Sequence, residues 1–140
     1  MKRIIFIGKS GAGKTSLTQK LRSQPVSYQK TQYVNFQDMV IDTPGEYAEN
    51  QELAAALALY SYEADVVGLL ISATDPFSLF PPNITPLVNR EVIGIVTQID
   101  RKGADPQRAE RWLRLSGCKQ VFFTSAFTGK GIDALYQYLQ

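Results

Sequence analysis

The tightest constraint in this chain is the stretch Gly8-Lys9-Ser10-Gly11-Ala12-Gly13-Lys14-Thr15, which directly follows the unbroken apolar run Ile4-Ile5-Phe6-Ile7. Apolar residues without alternation read as a strand covered on both faces, as in a parallel sheet. Beyond the glycines, Leu17 and Leu21 stand one helical turn apart, so residues 14–22 read as a helix. Strand, glycine-rich loop and helix in that order gather backbone N–H groups at a helix N-terminus, where anions bind. Two overlapping candidates compete inside the loop, Gly8-Lys9-Ser10 and Gly13-Lys14-Thr15. The phosphate-loop pattern needs a glycine five residues before the glycine of its Gly-Lys pair. Gly8 satisfies this for Gly13, whereas Arg3 occupies that place for Gly8. The register is therefore Gly8-x4-Gly13-Lys14-Thr15, and Lys9 becomes a loop residue.

The remaining elements follow from periodicity. Residues 31–36 and 39–42 read as two strands joined by a tight hairpin at Gln37-Asp38. Leu53, Ala56, Leu57 and Tyr60 place a helix at about 49–62. Residues 66–71, 92–96 and 121–123 are further buried strands. Asp105-Pro106 is a helix start, with a capping side chain before proline at the first helical position. Ile132, Leu135, Tyr136 and Leu139 mark a C-terminal helix. Strands alternating with helices predict an α/β domain with a mostly parallel sheet and right-handed crossovers. Pro76, Pro81, Pro82 and Pro86 prevent a long helix after the strand at 66–71. That segment is expected either to pack Phe77, Leu79 and Phe80 onto the sheet or to expose an apolar patch to a partner.

Composition limits the chemistry. At 140 residues the chain fits a single domain, 1–140. No histidine is present, which excludes histidine-based nucleophilic catalysis and histidine-ligated metals. The net charge of +2 is too small a bias to indicate nucleic acid or a membrane surface as a partner. Cys118 is the single cysteine, so no internal disulfide forms; it reads as a small buried hydrophobe. The apolar run after Met1-Lys2-Arg3 is too short for a signal peptide, and a cytoplasmic location is expected.

The candidate site is assembled from strand ends. Backbone N–H groups of residues 9 to 14 are expected to wrap phosphates, with Lys14 on the β and γ oxygens and the Thr15 hydroxyl on Mg²⁺. Ser16 completes the nucleotide-binding stretch. Asp42 ends a strand pattern in Ile41-Asp42-Thr43-Pro44-Gly45 and is expected to reach Mg²⁺ through water, while the Gly45 N–H meets a γ-phosphate oxygen. Thr31 is placed to close over Mg²⁺, the alternative being a solvated loop threonine. Glu46 either orients the attacking water or is a solvated loop glutamate. Asp100 ends Thr97-Gln98-Ile99-Asp100 after a buried strand; such a carboxylate can accept from guanine N1–H and the 2-amino group, which adenine cannot supply. In Thr124-Ser125-Ala126 a backbone N–H is available for guanine O6.

Taken together, GKSGAGKT, QKT at 29–31, DTPGEY at 42–47, SLFPPN at 78–83, TQID at 97–100 and TSA at 124–126 resemble the small Ras-like GTPases. More narrowly, they resemble the EutP/PduV-type proteins of ethanolamine and propanediol utilisation, over essentially the whole chain. The resemblance implies an α/β fold of three layers, a Ras-like P-loop NTPase with a mostly parallel six-stranded sheet, one antiparallel edge strand and helices on both faces. It implies a Mg²⁺-nucleotide site binding GTP and GDP, with ATP and ADP as alternatives, and slow hydrolysis in association with a bacterial microcompartment. It also implies two other readings: an ATP-dependent acetate kinase, and a non-catalytic module docking on a microcompartment shell or its enzymes through residues 77–83. The chain departs from the general GTPase pattern at Thr97 and Gln98, which stand where asparagine and lysine are usual. It departs again at Phe127, whose ring replaces a lysine stem over the base, and at Glu46, which replaces glutamine.

Overall fold

A computed structural model describes residues 2, 4–8, 12–22, 64–78, 80 and 82–140. Their elements run β1 (Ile4–Ile7), α1 (Lys14–Arg22), β2 (Val66–Ser72), a 3₁₀ turn (Thr85–Leu87), β3 (Glu91–Thr97), α2 (Pro106–Leu115), β4 (Val121–Phe123) and α3 (Ile132–Leu139). Among the described residues the sheet has four strands in the order β1-β2-β3-β4, every neighbouring pair parallel. The strands expected at 31–36 and 39–42 and the helix expected at 49–62 lie outside the described residues.

The parallel strands are buried on both faces, as their unbroken apolar runs require. Alternation still sorts their side chains into two cores. Ile4, Phe6, Val66, Leu70, Ile93, Ile95 and Phe122 pack with Leu17 and Leu21 of α1 and with Ile132, Leu135, Tyr136 and Leu139 of α3. Ile5, Ile7, Val67, Leu69, Ile71 and Val96 pack on the other face with Ala109 and Leu113 of α2. Helices thus cover both faces, giving the expected three layers. Gly94 allows α2 to approach β3 closely, because a Cβ there would stand 3.0 Å from Leu113 Cβ.

The proline-rich crossover from β2 to β3 forms only the short 3₁₀ turn in place of a long helix. Phe80, Ile84 and Val88 are buried in the α2-side core. Phe77, in contrast, is 54% exposed, and Leu79 lies outside the described residues. The crossover is pinned to the end of α2 by Asn83 N–H to Leu115 O (2.9 Å) and Thr85 N–H to Ser116 O (3.1 Å).

Candidate nucleotide-binding site

In a parallel α/β sheet the loops that follow the strands converge at the carboxyl edge, which is where ligands bind. Here that edge carries Gly8 after β1, Ala73-Thr74-Asp75 after β2, Gln98 to Arg101 after β3 and Thr124 to Phe127 after β4. The phosphate-loop glycines fit this setting. A Cβ on Gly8 would lie 3.0 Å from Leu70 O and 3.1 Å from Leu70 Cβ, so the chain leaves β1 where only glycine fits without displacement. Gly13 has φ +93°, a conformation natural to glycine, immediately before α1 begins at Lys14.

Lys14 turns inward. Its side chain is buried, and Nζ donates to the Gly8 carbonyl at 2.5 Å across the mouth of the loop. Thr15 and Ser16 occupy the next two positions of α1, with Ser16 exposed. Lys9, Ser10 and Gly11 lie outside the described residues, as do Thr31, Asp42, Gly45 and Glu46.

Beside Gly13 an open cleft of about 120 Å³ runs between the loops after β3 and β4. Its lining includes Ser16, Leu17, Thr97, Gln98, Asp100, Ala126 and Phe127. Asp100 is fixed at the rim: Ser125 Oγ donates to its Oδ1 at 2.7 Å. Ser125 is itself held, its N–H donating to Lys130 O (2.9 Å), its carbonyl accepting from Gly129 N–H (2.8 Å) and its hydroxyl accepting from Thr128 N–H (3.0 Å). Of the three N–H groups in Thr124-Ser125-Ala126, that of Thr124 donates to Val96 O and that of Ser125 to Lys130 O. The Ala126 N–H donates to no described residue. Phe127, 88% exposed, stands at the cleft without a hydrophobic bed of its own.

Thr97 and Gln98, where the usual asparagine and lysine are missing, are both engaged. Thr97 is buried and its Oγ1 donates to Ala12 O at 2.5 Å, joining β3 to the phosphate loop. Gln98 takes a left-handed φ of 59°, and Ser72 Oγ donates to its Oε1 at 2.5 Å. Its Nε2 then faces Gly13, 3.5 Å from the point a Cβ would occupy there. Sequence reading missed Ser72. Its signal was a hydroxyl ending the otherwise apolar VVGLLIS strand, buried at a strand end that faces the site. Arg101 and Leu17 also line the cleft without having been singled out.

A glycine-bracketed loop entering a helix at the carboxyl edge of a parallel sheet, inside three α/β layers, is the P-loop NTPase fold. Solved structures agree. A protein described as nucleolar GTP-binding protein 1 from Plasmodium falciparum superposes with a TM-score of 0.59 at 18% identity, over 97% of this chain and 82% of that one. Elongation factor SelB from Methanococcus maripaludis, in complex with the GTP analogue GPPNHP, gives a TM-score of 0.61 at 18% identity, over 96% of this chain and 32% of that one. The chain belongs to the PduV-EutP family (ethanolamine utilisation - propanediol utilisation), which it matches over residues 1–140. Propanediol utilization protein PduV of Citrobacter freundii is 47% identical, over 99% of this chain and 93% of that protein. A protein of Escherichia coli named Probable acetate kinase EutP is 32% identical, over 99% and 89%.

Proposed function

We propose that this chain binds GTP and hydrolyses it slowly with Mg²⁺, acting as a nucleotide-dependent switch in propanediol- or ethanolamine-type utilisation. The observation that carries the reading is Asp100, a carboxylate held by Ser125 at the rim of the cleft, with the uncommitted Ala126 N–H beside it. That pair offers an acceptor for guanine N1–H and the 2-amino group and a donor for O6. Lys14 provides the charge for the β and γ oxygens once it leaves the Gly8 carbonyl, and backbone N–H groups of the loop share the phosphate charge. In this reading Thr15, Thr31 and Asp42 would hold Mg²⁺, which would supply charge neutralisation to the phosphate tail. The Gly45 N–H would meet a γ-phosphate oxygen, and Glu46 would orient the attacking water. The family description and the name of the 47%-identical relative support a setting in ethanolamine- or propanediol-type utilisation; a place in the cytoplasm at a bacterial microcompartment is part of the same proposal.

Replacing Asp100 by Asn exchanges an acceptor for a donor at the base edge. Asp100→Asn is expected to weaken GTP binding by about 5- to 100-fold, the cost of a polar group left unpaired once the base covers it, and to raise the affinity for xanthosine triphosphate relative to GTP. Titration calorimetry with both nucleotides reads this directly; unchanged GTP affinity would remove Asp100 from base recognition.

A second reading rests on the name that the 32%-identical relatives carry. An acetate carboxylate oxygen would attack the γ-phosphorus of ATP, releasing ADP and leaving acetyl phosphate. Incubation with ATP, Mg²⁺ and acetate, followed by hydroxylamine trapping of acetyl phosphate, decides it; no trapped product at high enzyme concentration excludes it.

A further inference from the structure

We infer that the seam between α2 and the proline-rich crossover is a docking surface for an acidic, amphipathic helix of another protein. Three large apolar side chains are exposed among the described residues: Phe77 (54%), Leu115 (61%) and Phe127 (88%). Phe127 lines the nucleotide cleft, whereas Phe77 and Leu115 lie outside it. The crossover follows α2 along its length. Arg108 Nη2, in the first turn, donates to Asp75 O at 2.8 Å, and Asn83 N–H donates to Leu115 O at 2.9 Å at the far end. Arg108, Arg111, Trp112 and Leu115 stand three or four residues apart, so they share the flank of α2 beside the crossover, next to the buried Ala109 and Leu113. The Arg108 guanidinium lies over the half-buried Trp112 ring, 5.2 Å from its centroid, which fixes both side chains in place. The flank is open because Pro76, Pro82 and Pro86 leave only a 3₁₀ turn where a crossover helix would lie alongside α2.

Charge identifies what covers it. Residues 101–119 carry six arginines and lysines against two acids, Asp105 and Glu110, although the whole chain is only +2. Both acids are already engaged: Asp105 accepts from Arg108 N–H at 3.1 Å, and Glu110 pairs with Arg114 at 2.9 Å. Arg111, exposed beside Trp112 and Leu115, has no counter-charge among the described residues. Such a surface attracts an acidic partner and repels a basic one. Tryptophan and arginine around an apolar centre are also the residue types that dominate interface energies. A helix suits the site because apolar residues at i, i+4 and i+7 match the period of the row on α2.

Trp112 is the single tryptophan of the chain, so its emission reads the seam without a label. The probe is a synthetic helical peptide with leucine at i, i+4 and i+7 and glutamate on its other faces; a control peptide carries lysine in place of every glutamate. Expected is a blue shift of Trp112 emission with the acidic peptide, weakened by added salt, and no shift with the lysine peptide. Leu115→Ser and Arg111→Glu change exposed positions outside the cleft. Each is expected to weaken peptide binding by about 10-fold or more and to leave nucleotide affinity unchanged. No shift with the acidic peptide, an equal shift with the lysine peptide, or wild-type affinity in either variant would overturn the inference. A shift produced by anionic vesicles or by single-stranded RNA, but not by the acidic peptide, would assign the flank to a lipid surface or a nucleic acid instead. Self-association of the wild type that Leu115→Ser abolishes, without peptide binding, would assign it to a second copy of this chain.

Discussion

Lys14 sets the terms at the level of single residues. A buried ammonium is tolerated only with a partner, and the Gly8 carbonyl supplies one at 2.5 Å. In the proposed nucleotide complex an incoming phosphate would take that ammonium over, and the loop carries its cation already directed inward. Cys118 shows the opposite case, a reactive group type made inert. It is 3% exposed, and burial pushes its thiol up from 9.0 to about 12, with Arg114 opposing part of the rise. Below pH 9 the thiol is neutral in both folded and unfolded chains, so its contribution to stability is fully present. Between about 9 and 12 the unfolded chain ionises first, and that contribution is lost as pH rises through the folded value. Native protein is therefore expected to resist a thiol reagent at neutral pH and to label promptly in denaturant. The urea midpoint should fall above pH 9 more in wild type than in Cys118→Ala; equal pH profiles would contradict the burial argument.

Among the elements, α2 shows how local chemistry and packing divide the work. Asp105 accepts from Arg108 N–H at 3.1 Å and Pro106 opens the helix, so the start is written in two residues. The rest of α2 is strongly polar and is held by a narrow apolar stripe, Ala109 and Leu113, seated where Gly94 thins β3. Asp105→Ala removes the cap and leaves that stripe intact. It is expected to cost about 1 kcal/mol, read as a lower urea midpoint with unchanged slope. An unchanged midpoint would mean that tertiary contacts, including Arg108 Nη2 to Asp75 O at 2.8 Å, set this end of the helix without the cap.

On the scale of the whole molecule, two helical layers bury the sheet on both faces and leave its carboxyl edge for chemistry. The phosphate loop, the two strands β2 and β3, the helix start at Asp105 and the absence of a long helix after β2 were all legible from local pattern: glycine spacing, unbroken apolar runs and proline placement. So was a lysine at the start of α1, since only one register supplies both glycines. Local pattern encodes such features because turns, caps and periodic faces are decided within a few residues of chain. It could not show that Thr97 is tied to the phosphate loop and Gln98 to Ser72 although the usual asparagine and lysine are absent. Nor could it show which N–H of Thr124-Ser125-Ala126 donates to no described residue, or that Ser72 orients Gln98. Those outcomes hang on bonds such as Thr97 to Ala12 and Ser125 to Asp100, between residues that meet only when parallel strands align in register. By itself the sequence determined the superfamily and the lysine that opens α1; the register of the sheet decided how the loop after β3 is braced, because a hydroxyl finds its acceptor in space and not along the chain.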